Sequence, residues 1–161
     1  MRKGQVKKVI AISSGMADPD LVTKYEVWSA ASYTISKAAL NMAVAKFAAS
    51  YNKEGILFMC ISPGVVDTQD FKPGEFRSND LPLLKPKKTR DFLTYAALAT
   101  DAGLEGVMDM MRKFSEYAPS FKGPISPEES VEKVLAVINK ASVANGDGGS
   151  FVSHFGNKQW I

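Results

Sequence analysis

The strongest constraint on the fold is a pair of short apolar runs that flank one long helical pattern. The first run is Val9 to Ile12 and the second is Ile56 to Ile61, and each ends at a Ser- and Gly-containing turn. Short, continuous, largely apolar runs predict strands buried on both faces, as in a parallel sheet. Between them, apolar side chains recur at helical spacing over residues 33–51. This strand–helix–strand order predicts an α/β fold with right-handed crossovers.

The rest of the chain adds helices and one further strand. Helices are predicted over about 91–100 and over 104–117, and another begins at Ser126, where a serine cap, a proline and a glutamate three residues after the cap form a helix start. The helix over 104–117 is predicted to carry its apolar residues on one side: Leu104, Val107, Met108, Met111 and Phe114. A turn is predicted over 145–149 and a last short strand over 150–154. Residues 16–32 are predicted to be a loop, and residues 67–90 are polar, proline-rich and irregular.

Composition excludes several classes of protein. The chain has 161 residues, 45% of them hydrophobic, with a net charge of +3, so it is long enough and apolar enough for a folded core. One cysteine and one histidine exclude a disulfide framework and a Cys- or His-rich metal centre. No apolar run approaches the roughly 18 residues of a membrane helix, and no signal peptide is evident, so a cytoplasmic location is expected. The basic cluster at 85–90 lies among prolines and is expected to be a solvated loop rather than a nucleic-acid site.

Tyr33 and Lys37 are the most suggestive pair of polar residues. They are four positions apart at the start of the long helical pattern, so they project from the same face, which also carries Leu40, Val44 and Phe47. A nearby ammonium group and the positive end of a helix both favour phenolate over phenol. The pair is therefore a reasonable proton donor and acceptor for interconverting a carbonyl and an alcohol, although a plain helix with a solvated lysine would give the same spacing.

Three sequence blocks together resemble the short-chain dehydrogenase/reductase family. They are Val-Ile-Ala-Ile-Ser-Ser-Gly at 9–15, Tyr-Thr-Ile-Ser-Lys-Ala-Ala at 33–39 and Ser-Pro-Gly-Val-Val-Asp-Thr at 62–68. They occur in the family's order, at a predicted strand end, a helix start and the next strand end. The resemblance covers residues 6–68 and resumes over roughly 123–161, where the chain looks like fungal members. It implies a Rossmann-like doubly wound parallel sheet.

The resemblance also implies roles for individual residues. Tyr33 would be the catalytic acid/base, Lys37 would stabilise its phenolate and bind the nicotinamide ribose, and Ser14 would polarise the substrate carbonyl. Four further residues would line the cofactor NAD or NADP. These are Pro63 and Gly64 beside the nicotinamide, the Val66 backbone at its carboxamide, and Thr68 at the carboxamide or a phosphate. The substrate would be a small carbonyl compound or alcohol, and residues 67–122 would include the substrate lid.

The family's cofactor-binding half is what the sequence lacks. No Thr-Gly-x-x-x-Gly-x-Gly loop, which lets backbone amides approach a pyrophosphate, occurs among the 12 glycines. A complete domain of this family usually needs about 250 residues. The 161 residues are therefore expected to form a single partial domain, the C-terminal half.

Two hypotheses about function follow. The chain is either an oxidoreductase fragment that keeps the Tyr, Lys and Ser machinery, or a truncated, non-catalytic relative that at most binds partners. The helix over 33–51 forms a dimer interface in the family, so a homo-oligomer is conceivable in either case. Cys60 and His154 are expected to have packing rather than chemical roles.

Overall fold

The described part of the protein forms three parallel strands with helices packed against them. The computed structural model describes residues 4, 6–68 and 101–161. The predicted helix over 91–100 and the basic cluster at 85–90 lie outside the described residues, as does most of the predicted lid.

The strands are β1 (Lys8–Ile12), β2 (Leu57–Ser62) and β3 (Phe151–Ser153). β2 lies in the centre and pairs in parallel with both neighbours, with Ile12 opposite Ile61 and Ile61 opposite Val152. All three predicted strands are therefore confirmed, and so is the α/β class. In β2, Leu57, Met59, Cys60 and Ile61 are almost fully buried, as a strand covered on both faces must be.

The prediction that β1 is also buried on both faces is wrong. Its side chains are only partly buried, and Ile12 is 50% exposed. The reason is its position, because within the described sheet β1 is an edge strand. The Ser13 N–H donates to the Ile61 carbonyl, so the N–H and C=O groups of Ile12 point to the side away from β2.

Four helices are described: α1 (Pro19–Lys24), α2 (Ala31–Tyr51), α3 (Asp101–Tyr117) and α4 (Pro127–Lys140). α2, α3 and α4 match predicted helices. α4 begins as predicted, with the Ser126 hydroxyl accepting the Glu129 N–H at 3.1 Å. Its other end is capped by Lys8, whose ammonium donates to the Ile138 carbonyl at 2.7 Å, so β1 and α4 hold each other.

α1 contradicts the prediction of a continuous loop over 16–32. It starts where Asp18 caps the Asp20 N–H at 3.0 Å and Pro19 fills the first helical position. Asp followed by Pro is a helix-start signal that the sequence contained. A single turn of 3-10 helix over Gly15–Ala17 precedes α1 and connects it to β1.

The apolar faces of α2 and α3 differ in part from their predicted stripes. On α2, Val44 and Ala48 are buried, whereas Phe47 is 52% exposed although its ring stacks on Phe58 of β2 at 5.7 Å. On α3, Phe114 is buried as predicted, but Met110 is buried in place of Met108, which is 46% exposed. Met111 packs against the same buried cluster as predicted, so the buried face of α3 overlaps the predicted stripe but includes Met110 rather than Met108.

α3 is tied to the segment before α2 by a polar cluster. The buried Lys113 ammonium binds the Asp109 carboxylate at 2.9 Å and the Glu26 carbonyl. The Trp28 indole N–H donates to the same carboxylate at 2.9 Å. The Lys113 ammonium and then the Arg112 guanidinium, with a smaller contribution from the indole, hold the pKa of Asp109 well below its usual range, at about 2. The Lys113 and Trp28 contacts fix the 26–30 segment, which leads directly into Tyr33.

Candidate functional site

The predicted site serine lies in the turn where β1 ends. Ser14 is half-buried and caps the 3-10 turn, with its hydroxyl oxygen accepting the Met16 N–H at 3.3 Å. Accepting that bond leaves the hydroxyl proton of Ser14 available to donate to a substrate oxygen. The neighbouring Ser13 is 2% exposed, and within the described structure its buried hydroxyl makes no hydrogen bond. Of the pair, Ser14 is the more accessible.

β2 holds this turn from the other side. The Gly15 N–H donates to the Ser62 hydroxyl at 3.1 Å, and the Ser13 N–H donates to the Ile61 carbonyl at 2.8 Å. The two strand ends, one bearing Ser14 and the other leading into Pro63, are therefore joined by hydrogen bonds. Two of the three blocks singled out in the sequence thus lie together at the carboxyl ends of β1 and β2.

Lys37 brings the third block to the same carboxyl ends of the strands. Its ammonium donates to the Ile12 carbonyl at 2.9 Å and lies 5.6 Å from the centroid of the Tyr33 ring. Tyr33 and Lys37 share a helix face, as the four-residue spacing predicts. The lysine also binds the last residue of β1, two positions before Ser14, so the helix and the strand end are in direct contact.

Tyr33 approaches the Ser14 turn through shared packing. A buried cluster comprises Met16, Val27, Met110 and Phe114, and Tyr33 packs against it. Met16 belongs to the turn that Ser14 caps, so both residues border this cluster. Within the described residues, no hydrogen bond joins the hydroxyl groups of Ser14 and Tyr33.

The start of α2 has an unusual backbone. Ala30, the residue before the helix, has φ +55° and ψ +39°, in the left-handed region that a non-glycine residue seldom adopts, and it makes no side-chain cap. The first N–H groups of an uncapped helix keep their partial positive charge, and Tyr33 lies in that first turn. This end of the helix can therefore favour negative charge near Tyr33.

The turn over Pro63 and Gly64 is held by residues from two later elements. The Ser130 hydroxyl of α4 donates to the Pro63 carbonyl at 2.8 Å. Gly64 has φ +87°, and a Cβ there would lie 2.8 Å from Cε1 of His154, so this position requires a glycine. His154 is 4% exposed, and its burial lowers its pKa, with the Lys133 ammonium acting in the same direction and Glu129 opposing it.

Val66 directs its backbone N–H and C=O away from Ile125. It forms an isolated parallel bridge with Ile125, made by hydrogen bonds of 2.8 Å that involve the Val65 carbonyl and the Asp67 N–H. Because backbone groups alternate in direction along an extended segment, the N–H and C=O of Val66 itself point to the opposite side. Thr68, two residues further on, is exposed.

The remaining candidates for chemistry agree with a packing role. Cys60 is 1% exposed, and burial raises its pKa to about 11, with Lys37 acting in the opposite direction. Within the described ranges, no group of three or more His, Cys, Asp or Glu side chains could hold a metal ion, and no helix is long and apolar enough to cross a membrane.

Four contacts that support the site have no signal in the sequence. They are the Ile12 carbonyl that Lys37 binds, Ser62 under Gly15, Ser130 under Pro63, and His154 against Gly64. Each joins residues at least 25 positions apart, and no local spacing or motif signals such a contact. Only the helix cap next to the site, Asp18 with Pro19, had a recognisable local pattern.

Comparisons with known proteins agree with this arrangement. The family model described as short chain dehydrogenase matches residues 1–75. A short chain dehydrogenase of Hypocrea virens, virK, is 46% identical over 158 residues, covering 98% of this chain and 49% of the relative. The short-chain dehydrogenase/reductase AacuF of Aspergillus aculeatus is 44% identical over 162 residues, covering all of this chain and 51% of the relative.

A solved structure shows the same fold. The NADPH-bound carbonyl reductase from chicken fatty liver superimposes with a TM-score of 0.55 at 22% identity, over 93% of this chain and 41% of that one. The chain spans about half the length of the curated relatives it matches. With three motif blocks meeting at the carboxyl ends of β1 and β2 and fungal relatives that align along almost all of its length, the chain belongs to the short-chain dehydrogenase/reductase family.

Proposed function

We propose that this chain carries the catalytic half of a short-chain dehydrogenase/reductase site, acting in NAD(P)-dependent reduction of a carbonyl or oxidation of an alcohol. The observation that carries the proposal is the hydrogen bond of 2.9 Å from the Lys37 ammonium to the Ile12 carbonyl. It joins the helix face bearing Tyr33 to the strand end bearing Ser14.

The proposed roles follow from the chemistry of the three side chains. During reduction, the Tyr33 hydroxyl gives its proton to the substrate oxygen, and Lys37, 5.6 Å from the ring centroid, stabilises the phenolate that remains. The Ser14 hydroxyl donates a hydrogen bond to the same oxygen and orients it. In the oxidation direction, Tyr33 takes the proton from the alcohol.

The residues at the end of β2 suit a nicotinamide ring. A carboxamide needs one acceptor and one donor, and the C=O and N–H of Val66 face together away from Ile125. Lys37 would also hold the ribose, Pro63 and Gly64 would form the wall beside the ring, and Thr68 would meet the carboxamide or a phosphate. The cofactor, when bound, supplies or accepts the hydride.

We also propose a domain organisation. Residues 1–161 would form part of one Rossmann-like domain, and the glycine-rich loop that holds the pyrophosphate in the family has no counterpart among the glycines of this sequence. Residues 67–122 include the lid over a small carbonyl or alcohol substrate. The three-stranded described sheet, with β1 at its edge, is consistent with a larger sheet in the relatives.

Cofactor titration combined with turnover tests the proposal. The purified chain is titrated with NADH and with NADPH, following nicotinamide fluorescence, and carbonyl reduction is followed by absorbance. Micromolar binding, with turnover that falls by roughly 100-fold or more in Tyr33→Phe, would support catalysis by the chain. The absence of binding at millimolar cofactor would refute catalysis by this chain alone.

Two matched variants control for effects on the helix. Tyr51→Phe removes a hydroxyl from the other end of α2, and Lys46→Met removes an exposed ammonium from the same helix. Both are expected to keep wild-type binding and turnover, whereas Tyr33→Phe and Lys37→Met lose turnover. Equal losses in both sets would point to a general defect of α2 rather than to a site at Tyr33 and Lys37.

A non-catalytic role is the second candidate. Its supporting observations are the edge position of β1 within the described sheet and exposed apolar side chains, with Ile12 50% exposed at the end of β1, and Ile35 67% and Met42 64% exposed on α2. A strand edge without a strand partner and exposed apolar side chains both favour pairing with another chain. Sedimentation of the purified chain decides this, because a partner-binding product would associate without binding cofactor.

A further inference from the structure

Trp160 packs directly on the turn that carries Ser14. It is 3% exposed, and a Cβ placed on Gly15 would lie 2.5 Å from its Cβ and 2.7 Å from its Cγ. Only a glycine therefore fits at position 15 while Trp160 is in place. The backbone immediately after Ser14 thus lies against the base of the indole side chain.

The indole N–H fastens the far end of the same turn. It donates to Oδ2 of Asp18 at 2.9 Å, a hydrogen bond between two buried side chains. The other oxygen of Asp18 accepts the Asp20 N–H, and the Asp18 N–H donates to the Gly15 carbonyl at 3.0 Å. Trp160 therefore contacts both ends of the Gly15–Asp18 turn.

Trp160 is itself held by elements distant in sequence. Its backbone N–H donates to the Tyr117 hydroxyl of α3 at 3.0 Å, and the same hydroxyl donates to the Lys158 carbonyl at 3.1 Å. Its ring stacks on Phe151 of β3, with the centroids 4.4 Å apart. The residue after it, Ile161, packs against the buried cluster that Tyr33 also contacts.

We propose that Trp160 is a positioning residue for Ser14, acting as a clamp on the Gly15–Asp18 turn through Gly15 and the Asp18 carboxylate. The clamp fixes the direction of the Ser14 hydroxyl, which caps that turn through the Met16 N–H. Its consequence for catalysis rests on the proposed function, because it assumes that Ser14 binds the substrate oxygen. The clamp itself does not depend on that assumption.

Amide hydrogen exchange of the full chain, followed by NMR, tests the clamp without any need for turnover. The Met16 amide reports on Ser14 because it donates to the Ser14 oxygen at 3.3 Å. Trp160→Phe keeps an aromatic ring but removes the donor to a carboxylate. We expect exchange at Met16, Ala17 and Asp18 to rise roughly 10-fold or more, with the β2 amides changed by less than about 2-fold.

Two other variants sharpen the result. Trp28→Phe removes the other indole, which is 62% exposed and donates to Asp109, and it should leave the Gly15–Asp18 turn unchanged. Asp18→Asn keeps a helix cap but weakens the acceptor for the indole, so it should loosen the turn without unfolding α1. If Trp160→Phe does not fold, Asp18→Asn alone decides. Unchanged exchange at Met16, or an equal rise throughout β2, would overturn the clamp.

Kinetics then separate positioning from a general structural effect. Where the wild-type chain turns over substrate, Trp160→Phe should lower kcat about 10-fold in the wild-type background and hardly at all in Ser14→Ala. An equal loss in both backgrounds would mean that Trp160 does not act through Ser14. Failure of the proposed function would appear as absent wild-type turnover, while the exchange result would stand on its own.

Discussion

Replacing Gly64 with alanine should destabilise the fold through two separable effects. The position has φ +87°, and its new Cβ would lie 2.8 Å from Cε1 and 3.0 Å from Nδ1 of His154. A positive φ costs alanine roughly 1–2 kcal/mol. Forcing a methyl group into a packed contact adds roughly 1–3 kcal/mol. The free energy of unfolding should therefore fall by roughly 2–5 kcal/mol.

A matched glycine isolates the contact with His154. Gly55 has φ +66°, and no atom lies within 4 Å of where its Cβ would be, so Gly55→Ala has the backbone cost alone. Urea unfolding followed by circular dichroism should show Gly64→Ala to be less stable than Gly55→Ala by roughly 1–3 kcal/mol. In a His154→Ala background that difference should disappear. Equal effects of the two glycine substitutions in the wild-type background would refute the contact.

Three further predictions concern buried or capping groups. Burial raises the pKa of Cys60 to about 11, so at pH 8 the folded chain has a smaller thiolate fraction than the unfolded chain. A disulfide reagent should therefore react with Cys60 at least about 100-fold more slowly in the native chain than in the unfolded chain. Comparable rates would contradict the burial of Cys60. Because the pKa of His154 in the folded chain lies below the usual 6.5, His154 binds a proton in the unfolded state at a higher pH than in the folded state. The free energy of unfolding should therefore decline as the pH falls below about 6.5, and His154→Gln should lack this component in urea unfolding between pH 5.5 and 7.5; identical pH profiles would exclude it. Ser126→Ala removes the cap of the Glu129 N–H and should cost about 1 kcal/mol in the same assay, and a loss below about 0.3 kcal/mol would argue against the cap.

Much of the fold was predictable from local patterns in the sequence. β2 was predictable because the apolar run from Ile56 to Ile61 is typical of a buried strand. α4 was predictable because Ser126 and Pro127 mark a helix start. The exposure of Ile12 was not predictable in this way. A strand sequence indicates how apolar its environment can be, but its place at an edge or in the centre depends on which other strands pair with it.

The candidate site was predictable as separate pieces rather than as an arrangement. Helical periodicity places Tyr33 and Lys37 on one face, and the family resemblance selects Ser14. The periodicity of α3 correctly put Phe114 and Met111 on the buried face but chose Met108 in place of Met110. The helix also makes polar contacts, from Lys113 to the Glu26 carbonyl and from the Trp28 indole to Asp109. Such contacts join positions more than 75 residues apart, and a pattern read along one helix contains no information about them.

The Lys37 contact suggests why a single lysine can connect the strand to the helix. Parallel pairing with β2 uses the backbone of Ser13, which leaves the Ile12 carbonyl pointing to the open side of β1. A carbonyl in that position needs a donor, and the Lys37 ammonium, one helical turn after Tyr33, supplies it at 2.9 Å. The same bond orients the ammonium beside the Tyr33 ring. The Ile12 carbonyl, which β2 does not use, thus holds the Lys37 ammonium in place, and this ammonium is the cation that the proposed proton transfer requires.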